Sequence, residues 1–187
     1  AWRFLSSPEH IMSLPSDFTA NYHFAFQPIV DPLSQCVIAW EAKMRSADGK
    51  SPLKLFSKLS KNEIYRVDLI AKNDAFHQAK ALGLGNGTLI IKLLPSSLIA
   101  TPNAVEKLVY SVREAGLVPE QVVIAITEDG VIHKEDEFST VLREIKSSGL
   151  SLAIDDFGSS AAGLKMLTRF QPEQIMLDRD IVSNIHR

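Results

Sequence analysis

Charged side chains recur at one kind of place in this chain, directly after a short apolar run. Glu41 follows CVIAW, Lys92 follows TLII, Glu128 follows VVIAIT, the pair Asp155-Asp156 follows LSLAI, and Asp178 follows QIML. If the runs are strands of a parallel sheet, their C-terminal ends form its binding face and these side chains meet there. Carboxylates gathered at one place repel one another unless a cation sits among them, and oxygen donors suit Mg²⁺, Mn²⁺ or Ca²⁺. The plainer alternative is that some of them cap the helices that follow. Asp156 is the best candidate for such a cap, whereas Glu41 and Asp155 read as site residues.

Other chemistries lack their motifs. The sequence contains no GxSxG, HExxH, Walker loop or CxxC, and its five histidines (His10, His23, His77, His133 and His186) have no ligand spacing. The glycines at 83, 85 and 87 follow a helical stretch rather than a strand, so they are not a dinucleotide fingerprint. The formal net charge of -2 supplies no global field for nucleic acid or an anionic membrane. The lone cysteine, Cys36, lies in an apolar run and is expected to be buried. No stretch reaches the length of a membrane span, and the opening AWRFLSSPEH does not read as a signal peptide. The cytoplasm is the expected compartment.

The elements that would position these residues alternate. Apolar runs at 23–31, 36–45, 88–95, 121–127, 150–158 and 174–178 are separated by stretches of helical period. The first two are joined by a tight turn at Pro32-Leu33-Ser34 and are expected to pair antiparallel. Helices are expected over about 51–82 with a break near Lys61-Asn62, then 103–115, 135–147 and 160–170. Ser51-Pro52 is the expected helix start, and Gly83, Gly116 and Gly149 the stops. Strand–helix repetition gives an α/β fold with a parallel sheet, either doubly wound or a barrel. Six runs fall short of the eight of a full (β/α) barrel, so either the chain is a fragment of a longer protein or the barrel is incomplete. Residues 1–22 form a candidate extension and 23–187 a single domain.

Taken together, FAFQPIVD, WEAKMR, ITE, DDFG and IMLDRDIV resemble the EAL family in order and spacing. The opening HFAFQPIVDPLS and the segment RFQPEQ are most similar to EAL domains joined to blue-light-sensing BLUF domains of enterobacteria. The resemblance implies a TIM-like barrel with one strand reversed near its start. It also implies a two-metal site that hydrolyses cyclic di-GMP, with Mg²⁺ or Mn²⁺ as cofactor. Glu41 then matches the signature metal ligand, and Asp155 and Asp156 match the carboxylates that bind and bridge the metals. Gln27 and Arg45 match positions that contact the dinucleotide, and Glu128 matches a glutamate that steadies the loop after DDFG.

Departures from the pattern set the functional expectation. An asparagine ligand is replaced by Lys92, a glutamate ligand by Ala125, a lysine near the reacting phosphate by Met176, and the leucine of the signature by Lys43. The loop after DDFG reads SSAAG, and the strands that would supply the general base are missing. Lys92 is expected either to pair with Glu41 and Asp155 as a built-in counterion or to bend away into solvent. The expectation is a catalytically inactive signalling module that acts through a protein partner, a class that includes transcription regulators. Cyclic di-GMP binding without hydrolysis is the alternative reading, and an active phosphodiesterase a third. A homodimer, or residues 1–22 folded over a sheet edge, is expected to cover the apolar inner face of an incomplete barrel.

Overall fold

The computed structural model describes residues 22–49, 52, 56–57, 59–127, 135–159 and 162–184. The extension expected at 1–22 therefore lies outside the described residues except for Tyr22, as do Glu128 and the expected cap at Ser51.

One six-stranded sheet runs in the order β1 to β6. Its strands are β1 (Tyr22–Val30), β2 (Val37–Ser46), β3 (Thr88–Lys92), β4 (Val122–Thr127), β5 (Ser151–Phe157) and β6 (Gln174–Leu177). β1 and β2 are antiparallel, with Gln27 opposite Glu41, and every later pair is parallel. Helices α1 (Lys61–Ala81), α2 (Pro95–Ala100), α3 (Ala104–Glu114), α4 (Glu135–Ser147), α5 (Ala162–Phe170) and α6 (Arg179–Asn184) follow the strands. This is the sheet of a TIM-like barrel with its first strand reversed.

The central strands are apolar throughout because both their faces are covered. In β4 the residues Val122 to Ile126 are all buried. The outward side chains, among them Ile91, Ile124, Leu152 and Ile154, join Val67, Phe76, Leu108, Val112 and Phe138 of the helices in the main core. The inward side chains Ala39, Ile90, Val123, Ala125 and Ala153 form a second, smaller core. Ile29 of β1 and Met176 of β6 pack against it, so both edge strands lean over the same five residues. Two partly buried edge-strand side chains thus contribute to the cover of this face. Val37, at the start of β2, is 45% exposed.

α1 begins at Lys61, at the expected break, because Ser60 and Glu63 form a reciprocal capping box there. Other element expectations are corrected. The short helices α2 and α6 were not expected. Pro95 at the first turn starts α2, which the apolar reading 88–95 had merged into the strand. Cys36 is exposed, because it belongs to the β1–β2 turn rather than to β2. That turn is built by Asp31, whose carboxylate accepts from the Leu33 and Ser34 amides and the Ser34 hydroxyl.

Candidate functional site

The side chains at issue rise from the concave face of the sheet at the C-terminal ends of its parallel strands. β2 presents Glu41, Lys43 and Arg45 at alternate positions. β3 ends on Lys92, which lies in register with Ala125 of β4, and Thr127 lies in register with Asp155 of β5.

Lys92 makes the defining contact. Its Nζ lies 2.6 Å from Asp155 Oδ2 and 3.3 Å from Asp156 Oδ2. The side chain runs from β3 to β5 past Ala125, whose methyl group leaves the space for it. Asp155 is buried, while the Lys92 side chain keeps 46% of its exposure. Burial alone would lower the Lys92 pKa. The hydrogen bond and charge of Asp155, then those of Asp156, outweigh it and hold the ammonium above its ordinary range. The solvent-directed alternative for this lysine does not occur.

Glu41 is placed differently from expectation. It pairs with Lys43 at 3.2 Å, two residues along its own strand, and not with Lys92. Lys43 and Glu41 share a strand face, so the partner is local. Arg45 donates from Nη1 to the Met44 carbonyl at 2.9 Å, and Gln27 faces Glu41 across the β1–β2 ladder. Met176 packs against the Ala125–Ala153 cluster, so an apolar side chain covers that side of the face.

Asp156 is not a helix cap. α5 begins six residues later at Ala162. Asp156 adopts φ 53°, in the left-handed region that costs a side-chain-bearing residue energy, and its amide donates to Asp155 Oδ1 at 2.9 Å. Strain of this kind persists where surrounding contacts enforce it. Gly158, two residues on, has φ 92° and lies so close to Ile181 of α6 that a Cβ there would clash.

One group of residues was missed entirely. Behind β3, Asp68 of α1 is buried with Lys72 and Ser97. Its Oδ1 accepts from Lys72 Nζ at 2.9 Å, and its Oδ2 accepts from the Leu94 amide at 2.9 Å and Ser97 Oγ at 2.8 Å. The (i, i+4) spacing of Asp68 and Lys72 was the available signal, but that spacing usually marks a solvated helix face.

The described residues do not fit a divalent metal. No three acidic, histidine or cysteine side chains among them converge closely enough to hold one. A divalent ion sharing Asp155 with the ammonium would sit about 4 Å from it. The repulsion between the two cations opposes entry of a metal while the ammonium stays on Asp155.

The fold and this face define an EAL domain. The EAL family model matches residues 14–187, and the chain belongs to that family. It is 39% identical over its full length to the blue light- and temperature-regulated antirepressor BluF of Escherichia coli K12, of which it spans 47%. The solved structure of Klebsiella pneumoniae BlrP1 with manganese and cyclic di-GMP superposes with a TM-score of 0.84 at 45% identity, over 88% of this chain and 42% of that one. A BlrP1 structure with FMN and cyclic di-GMP but no metal ions superposes at 0.72, with 39% identity over 88% of this chain and 39% of that one. A standalone EAL protein of Vibrio cholerae O395, bound to cyclic di-GMP, gives 0.79 at 27% identity over 88% of this chain and 69% of that one. The chain thus spans less than half of BluF and of BlrP1.

Proposed function

We propose that this domain is a catalytically silent EAL module that signals through protein contact. The observation that carries the reading is the Lys92 ammonium 2.6 Å from Asp155. It puts a fixed positive charge among the carboxylates that the family resemblance assigns to metal. Ala125 supplies no donor beside it, and Met176 supplies no cation for a phosphate. No Mg²⁺ or Mn²⁺ is then held, and no metal-bound water is generated for attack on phosphorus.

The partner class follows from likeness to an antirepressor: a transcription regulator, bound in the cytoplasm without direct contact to nucleic acid or membrane. No described helix is long and apolar enough to cross a membrane. The partner can act on a homodimer of this chain, since β1 and β6 are the sheet's two edges.

A second reading has its own support. Gln27 and Arg45 remain on the concave face, a guanidinium suits a phosphate, and BlrP1 holds cyclic di-GMP in a structure without metal ions. On that reading the domain binds the dinucleotide and does not cleave it.

Chromatographic assay of cyclic di-GMP with Mg²⁺ or Mn²⁺ tests the first reading, and calorimetry with and without metal separates the two. Silence is expected in the assay. Turnover that disappears in Glu41→Ala overturns the proposal.

A further inference from the structure

We propose that Asp68, buried on the far side of the sheet, is the positioning residue that keeps the Lys92 ammonium on Asp155. The inference rests on the reading of Lys92 as the built-in cation.

The geometry leaves Lys92 little slack. Its ammonium must cross from β3 to β5, two strand spacings or about 9.5 Å, with only the aspartate's short side chain reaching back. Small errors in the Lys92 backbone therefore break the contact. On one side that backbone is fixed by the sheet: the Leu93 amide donates to the Ala125 carbonyl at 3.0 Å. Beyond Leu93 the ladder ends and the chain turns into α2. Asp68 takes over there. Its Oδ2 holds the Leu94 amide and the Ser97 hydroxyl together, two and five residues past Lys92.

The pin is itself rigid. Asp68, Lys72 and Ser97 are 6%, 5% and 0% exposed. Lys72 donates to the other carboxylate oxygen, and its ammonium lies 6.0 Å from the centre of the Phe24 ring. A buried carboxylate with three donors has one orientation. Pro95 has no amide to offer, so the Leu94 amide is the last backbone donor before α2 begins. α1 thereby sets the direction in which β3 delivers its terminal lysine.

The test is amine labelling of the intact chain with a succinimidyl ester, read by peptide mass spectrometry as the rate at Lys92 relative to exposed Lys61. Wild type is expected to protect Lys92, and Asp155→Asn to expose it. Asp68→Asn is expected to raise Lys92 labelling about fivefold, the change that accompanies loss of a half-exposed ion pair. A second variant, Asp68→Leu with Lys72→Met, keeps volume and removes both buried charges, so it preserves the fold while deleting the pin. It is expected to raise labelling as much. A lowered melting temperature with unchanged Lys92 labelling in both variants makes Asp68 merely structural and overturns the inference. Failure of the underlying reading looks different: Lys92 is then labelled as fast as Lys61 in wild type.

Discussion

Lys92 on β3 and Asp155 on β5 are joined 2.6 Å apart across the position of Ala125 on the strand between them. The two departures from the EAL pattern are thus sterically linked, since a long side chain at 125 would stand where the lysine passes. Ala125 is 1% exposed and packs with Ile90, Val123 and Ala153. Ala125→Leu is expected to cost about 1–3 kcal/mol by overpacking and to displace the ammonium as well. Chemical denaturation reads the first effect and Lys92 labelling the second. Unchanged labelling in a destabilised variant would show that the lysine does not depend on the alanine.

The buried pair behind β3 gives a larger stability prediction. Asp68→Ala leaves Lys72 as a buried, unpartnered charge and removes the acceptor for Leu94 and Ser97. The expected loss is about 3–5 kcal/mol, measured by denaturant unfolding. Asp68→Leu with Lys72→Met should lose much less, because both charges leave together. Equal losses in the two variants would place the cost in the backbone contacts instead.

Much of this arrangement was legible in the sequence. Apolar runs closing on Glu41, Lys92 and Asp155 gave the strands and the face those residues share, because strand alternation is a local property, while the choice of a barrel over a doubly wound sheet came from the family resemblance. Pairing was not legible. Lys92 had two carboxylates offered to it and took Asp155 with Asp156, while Glu41 took Lys43, a neighbour on its own strand. Such choices depend on curl and reach, which no local pattern encodes. Asp68 stayed hidden for the same reason, since two of its three partners lie 26 and 29 residues away.

Tyr22 supplies a pH test away from the site. Its hydroxyl donates to Asp74 of α1, tying the first strand to the first helix. Burial first, then the hydrogen bond and charge of Asp74, push the phenol well above its ordinary pKa of 10.0. A raised folded-state value means the protonated form favours the fold. The contribution is complete below pH 10 and is lost as pH climbs from there toward the folded-state value. In ultraviolet titration one of the three tyrosines should ionise last, and Tyr22→Phe should remove that late step. A late step that survives Tyr22→Phe assigns it to Tyr65 or Tyr110.

The sheet edges make the final prediction. β6 is four residues long and, among the described residues, pairs with β5 alone. Ile175 and Leu177 are 45% and 49% exposed on that strand, with Ile181 and Val182 of α6 exposed just beyond. An unpaired strand edge beside exposed apolar side chains is a template for association, and soluble chains rarely leave one uncovered. This chain is expected to form dimers or larger species in light scattering at micromolar concentration. Ile175→Lys with Leu177→Lys should return it to a monomer, because charges on an edge strand oppose pairing. Coverage by residues 1–21 predicts a different pattern: the intact chain is then monomeric and their deletion produces the dimer. A chain that is monomeric both intact and truncated has neither cover, and β6 is then stable as a bare edge.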